Sequence, residues 1–197
     1  MKKRTTMLAL LLATGAGTCL QAQEKLTQFK VRDAITVRTP IMNDSINPKG
    51  EKYADKDLLK TPVVLDLADA PFQVLSTDTA GVLSFPKAEK DHSIYLLETS
   101  LRAERFMTGK LKVTSPARWE IFINGESKMS KENAEDSISG ASTREVNLRL
   151  EPEADYEITI KLLSGSKDKA VPTLKCELIK DDKFKDITCF VSPEQKK

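Results

Sequence analysis

Residues 118–129, RWEIFINGESKM, indicate the fold class most directly. Trp119, Ile121 and Ile123 occupy every second position, and strict alternation of this kind is typical of a half-buried β-strand. The pair Asn124-Gly125 follows directly and supplies the two positive-φ positions of a type I′ hairpin turn. The sequence therefore predicts a β-hairpin here, with the indole ring in the core.

The same alternation, or a short apolar run between turn residues, recurs along the chain on both sides of this hairpin. Gly, Pro, Asn or Asp bound these segments, and little of the sequence has helical apolar spacing. The pattern predicts an all-β fold, an antiparallel β-sandwich. The predicted strands are VVLDL (63–67), FQVLS (72–76), VLSF (82–85), SIYLLETS (93–100), RFMTGKLKV (105–113), REVNLRL (144–150) and YEITIKLL (156–163).

The N-terminus has the three parts of a secretory signal peptide, predicted over 1–22. Basic residues at positions 2–4 precede the apolar run MLALLLA, and small residues lead to a cleavage point after Ala22. The apolar run is far shorter than the ~20 residues that span a membrane, so no transmembrane segment is predicted. One alternative is an uncleaved apolar N-terminus. Another is a lipoprotein acylated at Cys19, which Thr18 disfavours because the preceding residue is normally very small.

Three further segments complete the predicted organisation. Residues 23–62 are interpreted as an extended N-terminal segment, with one short helical turn at ADKDLL (54–59). Residues 63–191 form the predicted sandwich domain, and residues 192–197 are a polar tail or a truncated linker. The protein is thus expected to be exported, to the periplasm or the extracellular space.

The charge balance argues against nucleic acid as a partner. Removal of the first 22 residues leaves 28 basic and 29 acidic side chains, with alternating signs and no Arg-rich stripe. Neutralisation of a phosphate backbone needs clustered positive charge instead.

Two cysteines remain after the predicted cleavage, Cys176 and Cys189. They lie in VPTLKCELI (171–179) and DITCFV (186–191), which are interpreted as two strands around a polar turn. A symmetric register would set the two side chains opposite each other, and an exported protein can form disulfides. A disulfide between them is one prediction, and the alternatives are two buried free thiols or a longer loop that breaks the register.

The sequence offers little catalytic chemistry. His92 is the only histidine; its neighbour Ser93 points to the opposite face of a strand, so an exposed or edge histidine is the preferred interpretation. No GxSxG, HExxH or CxxC motif occurs, no cofactor is expected, and the carboxylate pairs lie near turns. A calcium site in the acidic loop 130–137 is left open, because oxygen ligands are all that it requires.

The predicted binding or interface residues are Phe122, Asn124 and Leu163. Phe122 lies on the strand face opposite Trp119, and Leu163 lies next to the polar face of its own strand. An apolar, aromatic patch on an outer sheet face would mark an interaction surface.

KLKVTSPARWEIFINGESKMSKENAEDS (110–137) and REVNLRLEPEADYEITIKLLS (144–164) resemble a jelly-roll module of the galactose-binding or PA14-like type. The wider layout, with VRDAITVRTPIMNDSINPKGEKYADKDLL (31–59) before the module, is similar to the non-catalytic N-terminal region of secreted Bacteroidota peptidases of the prolyl-oligopeptidase type. The resemblance implies a propeller and an α/β-hydrolase domain further along a full-length chain. It transfers no catalytic residue to this sequence.

Two functions follow as hypotheses. In the first, the chain is a non-catalytic accessory domain that packs on a hydrolase, either in the same full-length chain or in another exported protein. In the second, it is a free-standing carbohydrate-binding module with a glycan as partner. An enzyme in its own right is the weakest interpretation, because it would need a concave pocket with convergent titratable groups.

Overall fold

The computed structural model describes residues 23–36, 49–51, 55–60, 72–89, 92–180 and 187–190. The predicted signal peptide, the strand predicted at 63–67 and the tail at 192–197 lie outside these ranges. The described residues form one short helix, α1 (Asp55–Lys60), and twelve strands. The strands are β1 (Gln23–Lys25), β2 (Gln28–Thr36), β3 (Phe72–Ser76), β4 (Val82–Ser84), β5 (His92–Ala103), β6 (Met107–Thr114), β7 (Arg118–Ile123), β8 (Glu126–Lys131), β9 (Thr143–Leu150), β10 (Asp155–Gly165), β11 (Thr173–Lys180) and β12 (Ile187–Phe190).

The strands divide into two antiparallel sheets, and the predicted all-β sandwich is confirmed. The first sheet has the order β1-β11-β6-β9, with β4 also paired to β11. The second sheet has the order β3-β2-β5-β10-β7-β8, with β12 also paired to β5. The chain crosses between the sheets repeatedly, so neighbouring strands in a sheet are mostly distant in sequence.

The core between the sheets is built by the alternation that the sequence displays. Trp119 and Ile121 of β7 and Ile160 of β10 are fully buried on the inner face of the second sheet. Leu111 of β6 and Leu178 of β11 meet them from the first sheet. Burial of these apolar side chains is the main favourable term in folding.

The hairpin predicted at 118–129 is confirmed. Strands β7 and β8 pair with each other and are joined by the turn at 124–125. Asn124 and Gly125 have φ values of 51° and 77°, as a type I′ turn requires. A bulge shifts the register after Ile121, so that Phe122 lies opposite Ser127.

The N-terminal boundary differs from the prediction. Residues 23–36 were expected in an extended segment before the domain, but β1 pairs with β11 and β2 pairs with both β3 and β5. They are therefore strands of the sandwich itself. The weak alternation in this stretch conceals the strands, because β2 contains a register shift between Arg32 and Ile35.

The hairpin that the disulfide prediction required is not formed. Cys176 lies on β11 in the first sheet, whereas Cys189 lies on β12 in the second sheet, opposite Leu101 of β5. The Cys176 thiol is free and buried, and burial in an apolar environment raises its pKa strongly. The symmetric register was wrong because the chain passes from one sheet to the other between the two segments.

Replacement of the central indole should cost much of the stability. We expect Trp119→Ala to lower the free energy of unfolding by about 3–5 kcal/mol, because it leaves a cavity in a fully buried site. Phe106→Ala is the control, since this ring is 41% exposed, and should cost no more than about 1 kcal/mol. Urea unfolding of both variants measures the difference; equal losses would contradict this assignment of the core.

Candidate functional site

The outer face of the second sheet carries apolar, aromatic, hydroxyl and charged side chains. Alpha-helix α1 packs on one part of this face, which we call the covered half. The remaining part, which includes Phe122 of β7, is the open half. Both halves are formed by outward-facing residues of the same strands. The packing of side chains in one half therefore affects the geometry of the other half.

The covered half is apolar. Leu58 and Leu59 of α1 pack on Ile94 of β5 and Leu163 of β10, and Leu96 borders them. The prediction that Leu163 belongs to an exposed interaction surface was therefore wrong, because the side chain is fully buried beneath the helix of its own chain. The predicted helical turn at 54–59 is what covers it, and α1 confirms that turn.

Polar contacts of Asp55 fasten the start of α1 to the sheet. One carboxylate oxygen lies 3.1 Å from Nε2 of His92, and the other pairs with the guanidinium of Arg118. Arg118 also pairs with Asp168 at 2.8 Å, and Asp168 accepts a hydrogen bond from the backbone N–H of Gly165. The charged side chains of this group are thus engaged in contacts that hold α1 on the sheet.

The predicted location of His92 was wrong. The residue begins β5, an interior strand of the second sheet, and its side chain is partly buried against Asp55. The sequence could not show this, because the carboxylate that pairs with the ring lies 37 residues earlier in the chain.

A buried lysine borders the covered half near the C-terminal end of α1. Nζ of Lys161 donates a hydrogen bond to the backbone carbonyl of Leu59 and lies 4.0 Å from the carboxylate of Glu120. Burial lowers the pKa of Lys161, and the nearby Glu120 carboxylate opposes that shift.

The open half is organised by one line of side chains that crosses the sheet. Residues directly opposite in antiparallel strands share a face, and the strand registers link one residue on each of six strands. We call this line the Phe122 row. It consists of Val74 (β3), Lys30 (β2), Glu98 (β5), Thr159 (β10), Phe122 (β7) and Ser127 (β8).

The Phe122 row is accessible along its length. Val74 is 59% exposed and Ser127 is exposed, whereas the four residues between them are half-buried. The side chains that flank the aromatic ring are hydrogen-bonded: Ser127 donates to Glu120 at 2.7 Å, and Thr159 donates to Glu157 at 3.3 Å. Phe122 is therefore a half-buried aromatic ring between hydrogen-bonded polar side chains, and its role in binding stays a prediction.

Asn124 stabilises the hairpin in addition to lying on its surface. Its side-chain oxygen accepts a hydrogen bond from the backbone N–H of Glu157 at 2.8 Å, and its own N–H donates to the Glu157 carbonyl. These bonds tie the β7–β8 turn to β10. The side chain is exposed, and its role in binding stays a prediction.

Glu98 is the electrostatically distinctive member of the Phe122 row. Partial burial raises the pKa of its carboxyl group, the positive charges of Arg32 and Lys30 lower it, and the negative charge of Glu157 raises it further. The net result is a raised pKa. The carboxylate and the amine of Lys30 are opposite each other on adjacent strands.

Two carboxylates of the loop left open as a calcium site, 130–137, are paired with lysines. Glu135 lies 2.9 Å from Nζ of Lys131, and Asp136 lies 2.6 Å from Nζ of Lys169. The buried Lys131 also donates to the carbonyl of Ser115 at 2.8 Å. Within the described ranges no group of three or more His, Cys, Asp or Glu side chains is arranged to hold a metal ion.

The sequence carries no local signal for the members of the Phe122 row other than Phe122 itself. Their outward position follows from strand alternation, but their alignment depends on pairing between residues as far apart as Lys30 and Glu98, 68 positions along the chain. A second exposed aromatic, Phe106, was also not singled out; the guanidinium carbon of Arg149 lies 5.1 Å from its ring centre. An apolar residue within the polar turn before β6 was the available signal.

Comparisons with known proteins give structural likeness only. No family model matches the chain, and no curated protein matches it. A PA14 sugar-binding domain from an RTX adhesin aligns with 46% of this chain and 47% of its own length, at 18% identity and a TM-score of 0.35. A family 35 carbohydrate-binding module from an environmental isolate aligns over 56% and 79%, at 11% identity and a TM-score of 0.38. A β-glucosidase from Kluyveromyces marxianus aligns over 75% and 17%, at 12% identity and a TM-score of 0.43.

The chain therefore spans about half or less of the length of the adhesin domain and the glucosidase. Such likenesses concern the fold, and the function proposed below rests on the residues of this chain. In the described part of the chain, no helix is long and apolar enough to cross a membrane.

Loss of the Asp55 carboxylate should loosen α1. We expect Asp55→Asn to speed hydrogen exchange of the α1 amides about tenfold, because a neutral amide cannot form an ion pair with the Arg118 guanidinium. Asp57→Asn removes the same charge from the same helical turn and is the control. Exchange rates that rise equally in both variants would show that the anchor contributes nothing beyond the helix-terminal charge.

The raised pKa of Glu98 gives the protein a specific dependence on pH. Glu98 contributes stability when protonated, and this contribution is lost as the pH rises through its raised pKa. Glu98→Gln stays neutral, so its melting temperature relative to the parent protein should increase between about pH 4 and about pH 7. Glu104→Gln, at an exposed glutamate, is the control. A difference for Glu98→Gln that does not change with pH would contradict the assignment.

Proposed function

We propose that this protein is a non-catalytic carbohydrate-binding β-sandwich domain whose ligand lies on the Phe122 row. The observation that carries the proposal is the position of the Phe122 ring, opposite Thr159 on one side and Ser127 on the other, with Glu98 and Lys30 further along the same line. One accessible apolar ring is thus aligned with several hydrogen-bonding side chains.

This combination suits the chemistry of a sugar. A pyranose ring has an apolar face of C–H groups that packs on an aromatic ring, and a rim of hydroxyl groups that donate and accept hydrogen bonds. Thr159 and Ser127 supply hydroxyl groups, Glu98 supplies an acceptor and Lys30 supplies a donor. Because Ser127 and Thr159 are already oriented by Glu120 and Glu157, little side-chain entropy remains to be lost on binding.

The position of the row supports binding rather than hydrolysis. The residues lie on the outer surface of a sheet, whereas an enzyme usually encloses the reacting bond to exclude water. The Glu120 carboxylate next to Phe122 already accepts a hydrogen bond from Ser127 and lies near Lys161, so it is poorly placed to act on a substrate.

Two further proposals rest on the sequence: export rests on the predicted signal peptide, and attachment to a prolyl-oligopeptidase-type hydrolase rests on the resemblance. In this version the domain would present a glycan-bearing substrate or surface to a catalytic domain. Sequencing of the gene beyond the codon for Lys197 tests this version. Propeller repeats followed by a GxSxG segment would support it, and a stop codon directly after Lys197 would overturn it.

Affinity electrophoresis of the full chain tests the proposed function. The gels would contain soluble xyloglucan, arabinoxylan, galactomannan, β-1,3-glucan or, as a charged polymer, polygalacturonate. We expect retardation by at least one polysaccharide and a loss of affinity of about tenfold or more in Phe122→Ala, because the stacking surface is removed.

Phe106→Ala is the matched control, since it removes an exposed ring that is not part of the Phe122 row. Its affinity should equal that of the parent protein. Absence of retardation by every polysaccharide, or equal weakening by the two variants, would rule out the Phe122 row as a sugar-binding surface.

A further inference from the structure

The Phe122 row has the length and direction of an extended polymer-binding surface. It crosses six strands at right angles, and a strand spacing of about 4.8 Å gives it a length of about 24 Å. That length exceeds the width of a single sugar ring several times. A ligand that contacts the whole row must therefore consist of several linked units.

The row continues to both edges of the second sheet. Val74 lies on β3 and Ser127 lies on β8, and these strands are first and last in the sheet order of the described residues. Both end residues are exposed, and Val74 is the most exposed large apolar side chain of the described part. A chain lying on the row can extend beyond the sheet in either direction.

The charges along the row are balanced. Within the row, the single cation Lys30 lies opposite the single anion Glu98. Next to the row, Arg32 and Lys161 add two cations, while Glu120 and Glu157 add two anions. A polyanion or a polycation would meet like charge as often as opposite charge, whereas an uncharged chain loses nothing by this arrangement.

We propose that the Phe122 row binds an internal stretch of an uncharged, linear polysaccharide that lies across the strands. The inference rests on the proposed function and specifies its ligand class. Phe122 stacks on one sugar ring, Thr159, Glu98 and Lys30 hydrogen-bond the hydroxyl groups of the following units, and Val74 packs against a sugar face at the far end. Recognition is of the chain and not of its terminus.

Isothermal titration of the full chain with oligosaccharides of increasing length tests this inference. The ligands are cello-, xylo-, manno- and laminari-oligosaccharides of two to six units, each with a free or a reduced end. We expect the affinity in the bound series to rise about tenfold or more from the disaccharide to the hexasaccharide. Reduction of the terminal sugar should leave hexasaccharide binding unchanged.

Variants at Val74 and Phe122 separate this inference from the proposed function. Val74→Ser should weaken hexasaccharide binding several-fold and leave disaccharide binding unchanged, whereas Phe122→Ala should weaken both. Val171→Ser is the matched control, because this valine is 51% exposed and is not part of the row. It should change neither affinity.

Three outcomes would overturn the extended-chain inference while leaving sugar binding by Phe122 in place. They are affinity independent of length, loss of binding on reduction of the chain end, and tighter binding of polygalacturonate than of every neutral polymer. If Phe122→Ala binds all ligands as the parent protein does, the proposed function fails and the extended-chain inference fails with it.

Discussion

The pairing of β5 with β10 is the constraint on which the rest of the second sheet depends. The register runs without interruption from Arg102 opposite Asp155 to His92 opposite Gly165. Because the side-chain period of a strand is two, a shift of one residue would exchange the inner and outer faces of β10. Such a shift would bring Lys161 into the core and Leu162 onto the outer face. The apolar inner residues therefore fix the position of every outer one.

Two different environments arise on the outer face from this single register. Around Leu163 the face is apolar, and α1 covers it with two leucines. Around Phe122 the face is polar and stays accessible, because hydroxyl and carboxylate side chains satisfy one another there. The buried charges of Lys161 and Glu120 lie between the two. Buried ionic groups of this kind contribute little net stability. Their contacts mark the boundary between the part of the outer face that α1 covers and the part that stays open.

The sequence predicted what depends on neighbouring residues and failed where distant segments meet. Alternation identified the strands at 118–123 and 144–150, a short apolar run between turn residues identified the strand at 72–76, and Asn-Gly identified the hairpin turn. The burial of Leu163 depends on α1, about a hundred residues earlier, and local periodicity carries no information about it. The same limitation explains the disulfide prediction, since symmetric spacing around a turn does not reveal that the chain changes sheets.

The Phe122 row depends on the pairing of distant segments, and this explains why it has no sequence signature. Its six residues come from six strands and are spread from Lys30 to Thr159. Each of them, taken alone, is an ordinary outward residue of an amphipathic strand. A loop site concentrates its chemistry in a few consecutive residues, whereas a site across a sheet takes one residue from each strand. A binding surface of this kind is therefore recognised from sheet registers rather than from motifs.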